Sequence, residues 1–114
     1  MDMNREYMKF GLSQTTLEKL NSVIERFPEI DEVMIYGSRA KGDYMEGSDI
    51  DLTLIGNGLD HDLLLTLMVE LDTLMLPYKI DLSILSQIKN HDLIEHIKRV
   101  GQRLYVRKDA EETI

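Results

Sequence analysis

The sequence predicts an α/β fold in which helices flank a mixed β-sheet. Segments with helical periodicity alternate with short segments of strict polar–apolar alternation, and no repeat, linker or low-complexity tract interrupts this order. With 114 residues, of which 43% are hydrophobic and 30% charged, the chain has the size and composition of one compact domain. We therefore expect a single domain over residues 1–114, with a lead-in at 1–12 and a charged tail at 108–114 that both fray.

Three segments have the pattern of helices. The first begins near Thr15, where a capping box is possible, and its apolar stripe stops at Pro28. The second is leucine-rich and covers residues 60–75. The third begins at Asn90, a favourable N-cap residue, and continues through Val100. Each of these helices is followed by a segment that resembles a strand.

Four segments have the pattern of strands: EVMIYG, DIDLTLIG, YKIDLSIL and RLYV. In the second strand, Asp49 and Asp51 alternate with apolar residues, and in the third strand Asp81 occupies an equivalent position. The helix between these two strands is long enough to be a parallel crossover connection. We therefore expect the aspartate-bearing faces of the second and third strands to lie side by side or nearly so.

The overall charge and composition exclude several classes of function. The net charge is −8, from 21 acidic and 13 basic residues, and such a chain is poorly suited to direct binding of nucleic acid. The absence of cysteine excludes disulfides, thiolate metal sites and thiol nucleophiles. The N-terminus has no signal-peptide pattern, and no apolar segment approaches the length of a membrane span. We expect a cytoplasmic protein that does not bind membranes.

The three strand aspartates are candidate metal ligands. Asp49 and Asp51 lie about 7 Å apart along one side of a strand, where two like charges destabilise the fold unless a positive charge lies between them. Together with Asp81 they would form a site of hard oxygen ligands suited to Mg²⁺ or Mn²⁺. The alternative is that each aspartate is only a solvated residue on a half-buried sheet. Lys79, beside Asp81, could neutralise this acidic group or contact a phosphate.

A glycine–serine turn follows the first strand and is a candidate phosphate-binding element. Gly37 allows close approach of the backbone or a positive φ, and Ser38 adds a hydroxyl donor. Arg39 brings positive charge to the turn, although an exposed residue at this position could equally be solvated. Ser48 could contact a phosphate or simply form the turn before Asp49, and the turn is the favoured interpretation.

The histidines and two of the tyrosines are further candidates for site residues. The histidines, His61, His91 and His96, have no second histidine at ligand spacing, so surface or capping roles are favoured over metal binding. Tyr36 and Tyr44 flank the glycine–serine turn and could stack on a nucleotide base. A role in the core or in the loop is at least as good an interpretation for both tyrosines.

The segment GSRAKGDYMEGSDIDL closely resembles the signature of the polymerase-beta-like nucleotidyltransferases, and in particular of the minimal nucleotidyltransferases. In that signature a Gly-Ser pair is followed after ten residues by Asp-x-Asp. The resemblance implies that Asp49, Asp51 and Asp81 are catalytic and hold two Mg²⁺ ions, with Mn²⁺ as an alternative. It also implies that Gly37 and Ser38 bind the nucleoside triphosphate. Arg39 and Ser48 are further candidates for nucleotide binding.

The same resemblance implies a reaction and a partner. Minimal nucleotidyltransferases are typically paired with a small helical HEPN protein, a ribonuclease toxin that they silence by transferring AMP from ATP to a tyrosine. This chain would then be the antitoxin. One alternative is nucleotidyl transfer to a small molecule such as an aminoglycoside, with a separate substrate-binding subunit. Another is a non-catalytic module that blocks its partner. The base, the metal, the acceptor and any homo-oligomer remain open from the sequence.

Overall fold

The computed structural model describes residues 8–108 and confirms the α/β prediction. The elements are β1 (Met8–Lys9), β2 (Leu12–Ser13), α1 (Gln14–Ile24), β3 (Ile30–Tyr36), α2 (Ser38–Lys41), β4 (Ile50–Gly56), α3 (His61–Asp72), β5 (Ile80–Ile84), a single 3₁₀ turn (Leu85–Gln87), α4 (His91–Val100) and β6 (Gln102–Val106). None of the helices in this part of the chain is both long and apolar enough to span a membrane.

Strands β3 to β6 form one mixed sheet with the order β5-β4-β3-β6. β4 and β5 are parallel, and α3 connects them as a crossover helix, whereas β3 is antiparallel to both β4 and β6. In the parallel pair Asp51 lies opposite Asp81 and Thr53 lies opposite Ser83. The prediction that these two strands place their aspartates side by side is therefore confirmed for Asp51 and Asp81.

The hydrophobic core lies on one face of this sheet. Ile50, Leu52 and Leu54 of β4 have no exposed surface, because α1 and α3 cover the face to which these side chains point. The helices contribute the following buried residues to the same cluster: Leu20, Val23, Ile24, Leu67 and Leu71. The opposite face carries the aspartates, and α4 covers only part of it.

The ends of two helices differ from the sequence-based expectation. α1 begins one residue before Thr15, because the hydroxyl of Ser13 accepts a hydrogen bond from the backbone N–H of Thr16 at 3.1 Å and so provides the N-cap. α3 ends at Asp72 rather than at Met75, which is 87% exposed and has a positive φ of 56°. α4 has the predicted Asn90 cap and the predicted end at Val100.

The N-terminal segment is more ordered than the expected lead-in. β1 and β2 form a small antiparallel hairpin, and Leu12 is completely buried in the core cluster. Strands of two residues are too short for any periodicity, which explains why the sequence did not indicate them. The rest of the expected lead-in, residues 1–7, and nearly all of the expected tail, 109–114, lie outside the described residues.

Candidate active site

Asp51 and Asp81 form a carboxyl pair at the start of the two parallel strands. They occupy the same register position in adjacent parallel strands. Burial raises the pKa of Asp51 to about 6, and the neighbouring Asp81 adds to the increase. Asp49 raises the same pKa further, while the positive charge of Lys79 lowers it. Asp51 therefore keeps its proton to a higher pH than an isolated aspartate does.

Asp49 is the most solvent-exposed of the three predicted aspartates. It lies on the exposed turn just before β4 and influences Asp51 through its charge. No cluster of three or more acidic, histidine or cysteine side chains within residues 8–108 is arranged to hold a metal ion. The structure thus brings Asp51 and Asp81 together and leaves Asp49 at the edge of the pair.

A band of hydroxyl groups continues the polar face beyond the carboxyl pair. Ser83 donates a hydrogen bond to Thr53 at 2.9 Å, and Thr53 is completely buried. Tyr36 lies opposite Asp51 in the antiparallel pair. The pKa of Tyr36 is raised, mainly by burial and also by the charges of Asp51 and Asp81, although the neighbouring Ser83 hydroxyl opposes this. Tyr36 is therefore a half-buried member of the carboxylate face.

The glycine–serine turn lies directly against this pair. Gly37 has a φ of 75°, in the left-handed region that favours glycine, and a Cβ at this position would overlap with Oδ2 of Asp51. Ser38 begins α2, and the N–H of Lys41 donates to the carbonyl of Gly37 at 3.1 Å. Glycine is thus favoured here for two independent reasons, the backbone torsion and the close contact with the carboxyl group of Asp51.

Arg39 was expected on an exposed turn, and this expectation is wrong. It is only 3% exposed, and its guanidinium donates to the carbonyl of Ser48 through two nitrogens at 3.0 and 2.9 Å and to the carbonyl of Phe10 at 3.0 Å. The guanidinium also lies 5.4 Å from the ring centre of Tyr44 and 4.8 Å from that of Tyr78. These contacts give Arg39 a structural role, in which it joins the N-terminal hairpin to the loop before β4.

Ser48 has the turn-forming role that the sequence favoured. Its hydroxyl accepts a hydrogen bond from the N–H of Met45 at 2.8 Å, and its carbonyl is the main acceptor for Arg39. Together these bonds fix the loop that delivers Asp49 and Asp51 to the start of β4.

The comparison with protein families identifies the chain. A model of the family described as "Polymerase beta, Nucleotidyltransferase" matches residues 18–110, which is most of the sequence and includes the carboxyl pair and the turn. The chain belongs to this nucleotidyltransferase family. The resemblance that the motif suggested is thereby confirmed. No curated protein matches the chain in sequence.

Solved structures share the fold of this nucleotidyltransferase. A toxin–antitoxin crystal structure with AMP-PNP is 22% identical with a TM-score of 0.64, over 88% of this chain and 79% of the other. A complex of a tri-AMPylated HEPN toxin with an MNT antitoxin from Shewanella oneidensis is 19% identical with a TM-score of 0.61, over 87% and 76%. The MntA–HepT toxin–antitoxin is 19% identical with a TM-score of 0.62, over 88% and 78%. At these identities the likeness establishes the fold.

His96 contacts the turn of this nucleotidyltransferase, although the sequence gave it only a surface or capping role. The N–H of Gly37 donates to Nε2 of His96 at 3.1 Å, and the imidazole packs edge-on against Tyr36 with 6.1 Å between ring centres. The histidine lies 59 residues from the glycine along the chain, so no local pattern could have indicated the contact.

Lys79 lies between the carboxyl pair and an apolar groove. Its ammonium is 4.0 Å from Oδ1 of Asp81, and the lysine side chain is largely exposed. The groove, of about 670 Å³, lies between α3 and the edge strand β5, and Leu65, Met68 and Leu82 are among its lining residues. Because the Lys79–Asp81 ion pair is exposed to solvent, it contributes little to the stability of the fold.

Proposed function

We propose that this nucleotidyltransferase transfers AMP from ATP to a hydroxyl group of a partner protein, with release of pyrophosphate. The observation that supports the proposal most strongly is the close approach of Gly37, in the glycine–serine turn, to Asp51 of the carboxyl pair. An acceptor oxygen attacks the α-phosphorus, the bond to the bridging oxygen of pyrophosphate breaks, and the acceptor proton passes to a carboxylate. Asp81 is the carboxylate proposed to take that proton.

The donor set fits divalent cations. Asp51 and Asp81 present hard oxygen ligands whose mutual repulsion a cation would relieve, and Asp49 adds charge from the adjoining turn. We assign two Mg²⁺ ions, or Mn²⁺, to Asp49, Asp51 and Asp81. When bound, such ions neutralise the charge that develops on the attacking and leaving oxygens.

The glycine–serine turn is proposed to position the nucleotide. Gly37 lets the backbone approach the carboxyl pair closely, and Ser38 supplies a backbone N–H and a hydroxyl as donors to the β- and γ-phosphates. Arg39 is excluded from these contacts because its guanidinium is occupied by backbone carbonyls. Catalysis then depends on positioning and charge neutralisation, as is usual for transfer of phosphorus groups.

The proposed acceptor is a tyrosine of a helical HEPN toxin, which makes this chain an antitoxin. The support is the similarity to the Shewanella oneidensis complex, in which an MNT antitoxin accompanies a tri-AMPylated HEPN toxin. A complex with AMP-PNP supports ATP as the donor. Transfer to a small molecule and simple blocking of the partner are the outcomes that would replace this proposal.

The test is transfer of label from α-labelled ATP in an extract of the source cells supplied with purified chain and Mg²⁺. The inactive comparison is Asp51→Asn, and the matched control is Asp43→Asn, which removes an exposed carboxylate of the same loop. We expect one labelled small protein with the wild-type chain and with Asp43→Asn, none with Asp51→Asn, and AMP on a tyrosine by mass spectrometry. Pyrophosphate release without protein labelling would instead indicate a small-molecule acceptor.

A further inference from the structure

The Gly37 residue of the turn is held from both sides by hydrogen bonds. Its carbonyl accepts from Lys41 within the turn, and its N–H donates to His96 of α4. Glycine has more accessible backbone conformations than any other residue, so the orientation of the Gly37 peptide groups depends on such hydrogen bonds. The bond from Lys41 is local to α2, whereas the bond to His96 connects the turn to a separate element.

The segment that contains α4 and β6 contacts the turn at a second point. The side-chain amide of Gln102, the first residue of β6, donates to the carbonyl of Ala40 at 3.0 Å. Gly37 immediately precedes α2, and Ala40 lies within α2, so the hydrogen bonds with His96 and Gln102 hold both the glycine–serine turn and the short helix that follows it. The turn is therefore positioned against Asp51 by contacts with α4 and β6 as well as by its own sequence.

We propose that His96 is a positioning residue for nucleotide binding, which acts by holding the Gly37 peptide in the orientation that the phosphates require. This inference rests on the proposed function, because it assumes that the Gly37–Ser38 turn binds the triphosphate. The acceptor atom is Nε2, so the proton of the neutral ring lies on Nδ1. The edge-on contact with Tyr36 holds the imidazole in place for this bond.

The test separates the hydrogen bond from the packing of the ring. His96→Phe keeps an aromatic ring beside Tyr36 but cannot accept a hydrogen bond, and His96→Gln keeps an acceptor at nearly the position of Nε2. His91→Phe is the matched control, because His91 is an exposed residue of the same helix. The measurements are the dissociation constant of a non-hydrolysable ATP analogue with Mg²⁺ by calorimetry, the KM and kcat for ATP, and the melting temperature of each variant.

We expect His96→Phe to raise the dissociation constant and the KM by about fivefold to tenfold, the range that corresponds to one hydrogen bond. His96→Gln should restore binding to within about twofold of the wild type, and His91→Phe should equal it. Equal binding by His96→Phe and the wild type would overturn the inference alone. So would equal losses in the Phe and Gln variants. A wild-type chain that neither binds the analogue nor transfers AMP would overturn both the inference and the proposed function.

Discussion

The two faces of strand β4 differ in what they contribute to the protein. On one face Ile50, Leu52 and Leu54 are completely buried under α1 and α3. On the other face Asp51 is half-buried beside Asp81, and its pKa is raised to about 6. The alternation of a single strand therefore places residues that stabilise the fold and residues that destabilise it only one position apart.

This difference supports the proposal that AMP transfer takes place on the Asp51 face of β4. Apolar burial stabilises the fold, and the closely spaced carboxyls of the opposite face oppose it when they are ionised. The repulsion between the ionised carboxylates of Asp51 and Asp81 is unfavourable unless a cation and a substrate bind between them. Such a costly pair is typical of a functional site, as expected for a member of the nucleotidyltransferase family. Substitutions on the apolar face should therefore lower stability with little effect on activity. Substitutions of the carboxyls should lower activity without lowering stability.

The largest expected effect on stability is on the apolar face. Leu54→Ala removes a completely buried side chain between β3 and β5, and should lower the free energy of unfolding by about 2–5 kcal/mol. Urea unfolding followed by circular dichroism measures this loss. AMP transfer per folded molecule should change little, and a large loss of transfer by a fully folded variant would break the proposed separation of the two faces.

Replacement of the buried Arg39 should cause the second largest loss in the free energy of unfolding. Arg39→Met removes the donors to the carbonyls of Ser48 and Phe10, and should cost about 2–3 kcal/mol because these partly buried acceptors lose a charged partner. Lys41→Met, at an exposed position of the same turn, is the matched control and should stay within about 0.5 kcal/mol of the wild type. Equal stabilities of the two variants would contradict a structural role for Arg39.

A substitution at the turn should affect both properties. Gly37→Ala places a Cβ against Oδ2 of Asp51 and imposes a positive φ on alanine, which should cost about 1–3 kcal/mol. Because the strain is relieved by moving the turn or the carboxyl, transfer should fall more than stability does. The matched control is Gly42→Ala, which also has a positive φ but no atom within 4 Å of the added Cβ. Equal transfer by the two variants would show that the contact with Asp51 is unimportant.

The smallest expected effect is a gain in stability that depends on pH. The pKa of Asp51 is raised from 3.8 to about 6, so its bound proton stabilises the fold at low pH and this contribution is lost as the pH rises through about 6. Asp51→Asn should therefore match the wild type near pH 4 and be more stable by about 1 kcal/mol at pH 7.5, a value reduced for the partial exposure of the carboxyl. Thermal unfolding with a chelator at both pH values measures this, and a variant that is less stable at pH 7.5 would disprove it.

The sequence indicated the strands of the main sheet because alternation is a local pattern, and the crossover helix α3 then predicted that Asp51 and Asp81 lie side by side. Alternation predicts a strand within five to seven residues, and the motif fixes Gly37 relative to Asp51. The burial of Arg39 depends on the carbonyl of Phe10, which lies 29 positions away, and the hairpin that contains Phe10 has no periodicity of its own. The contact of His96 with Gly37 spans 59 positions. Such long-range contacts form only when the chain folds, so no local sequence pattern predicts them.

The most direct test of the account is to measure AMP transfer and unfolding on the same preparations of the wild type and of Asp51→Asn and Asp81→Asn. Transfer is followed with α-labelled ATP, Mg²⁺ and the identified acceptor, and folding by circular dichroism. We predict that both variants fold with at least wild-type stability at pH 7.5 and transfer AMP at least about a hundredfold more slowly. Folded variants that transfer at the wild-type rate would contradict the catalytic role of the pair, and variants that fail to fold would show that the carboxyls are structural.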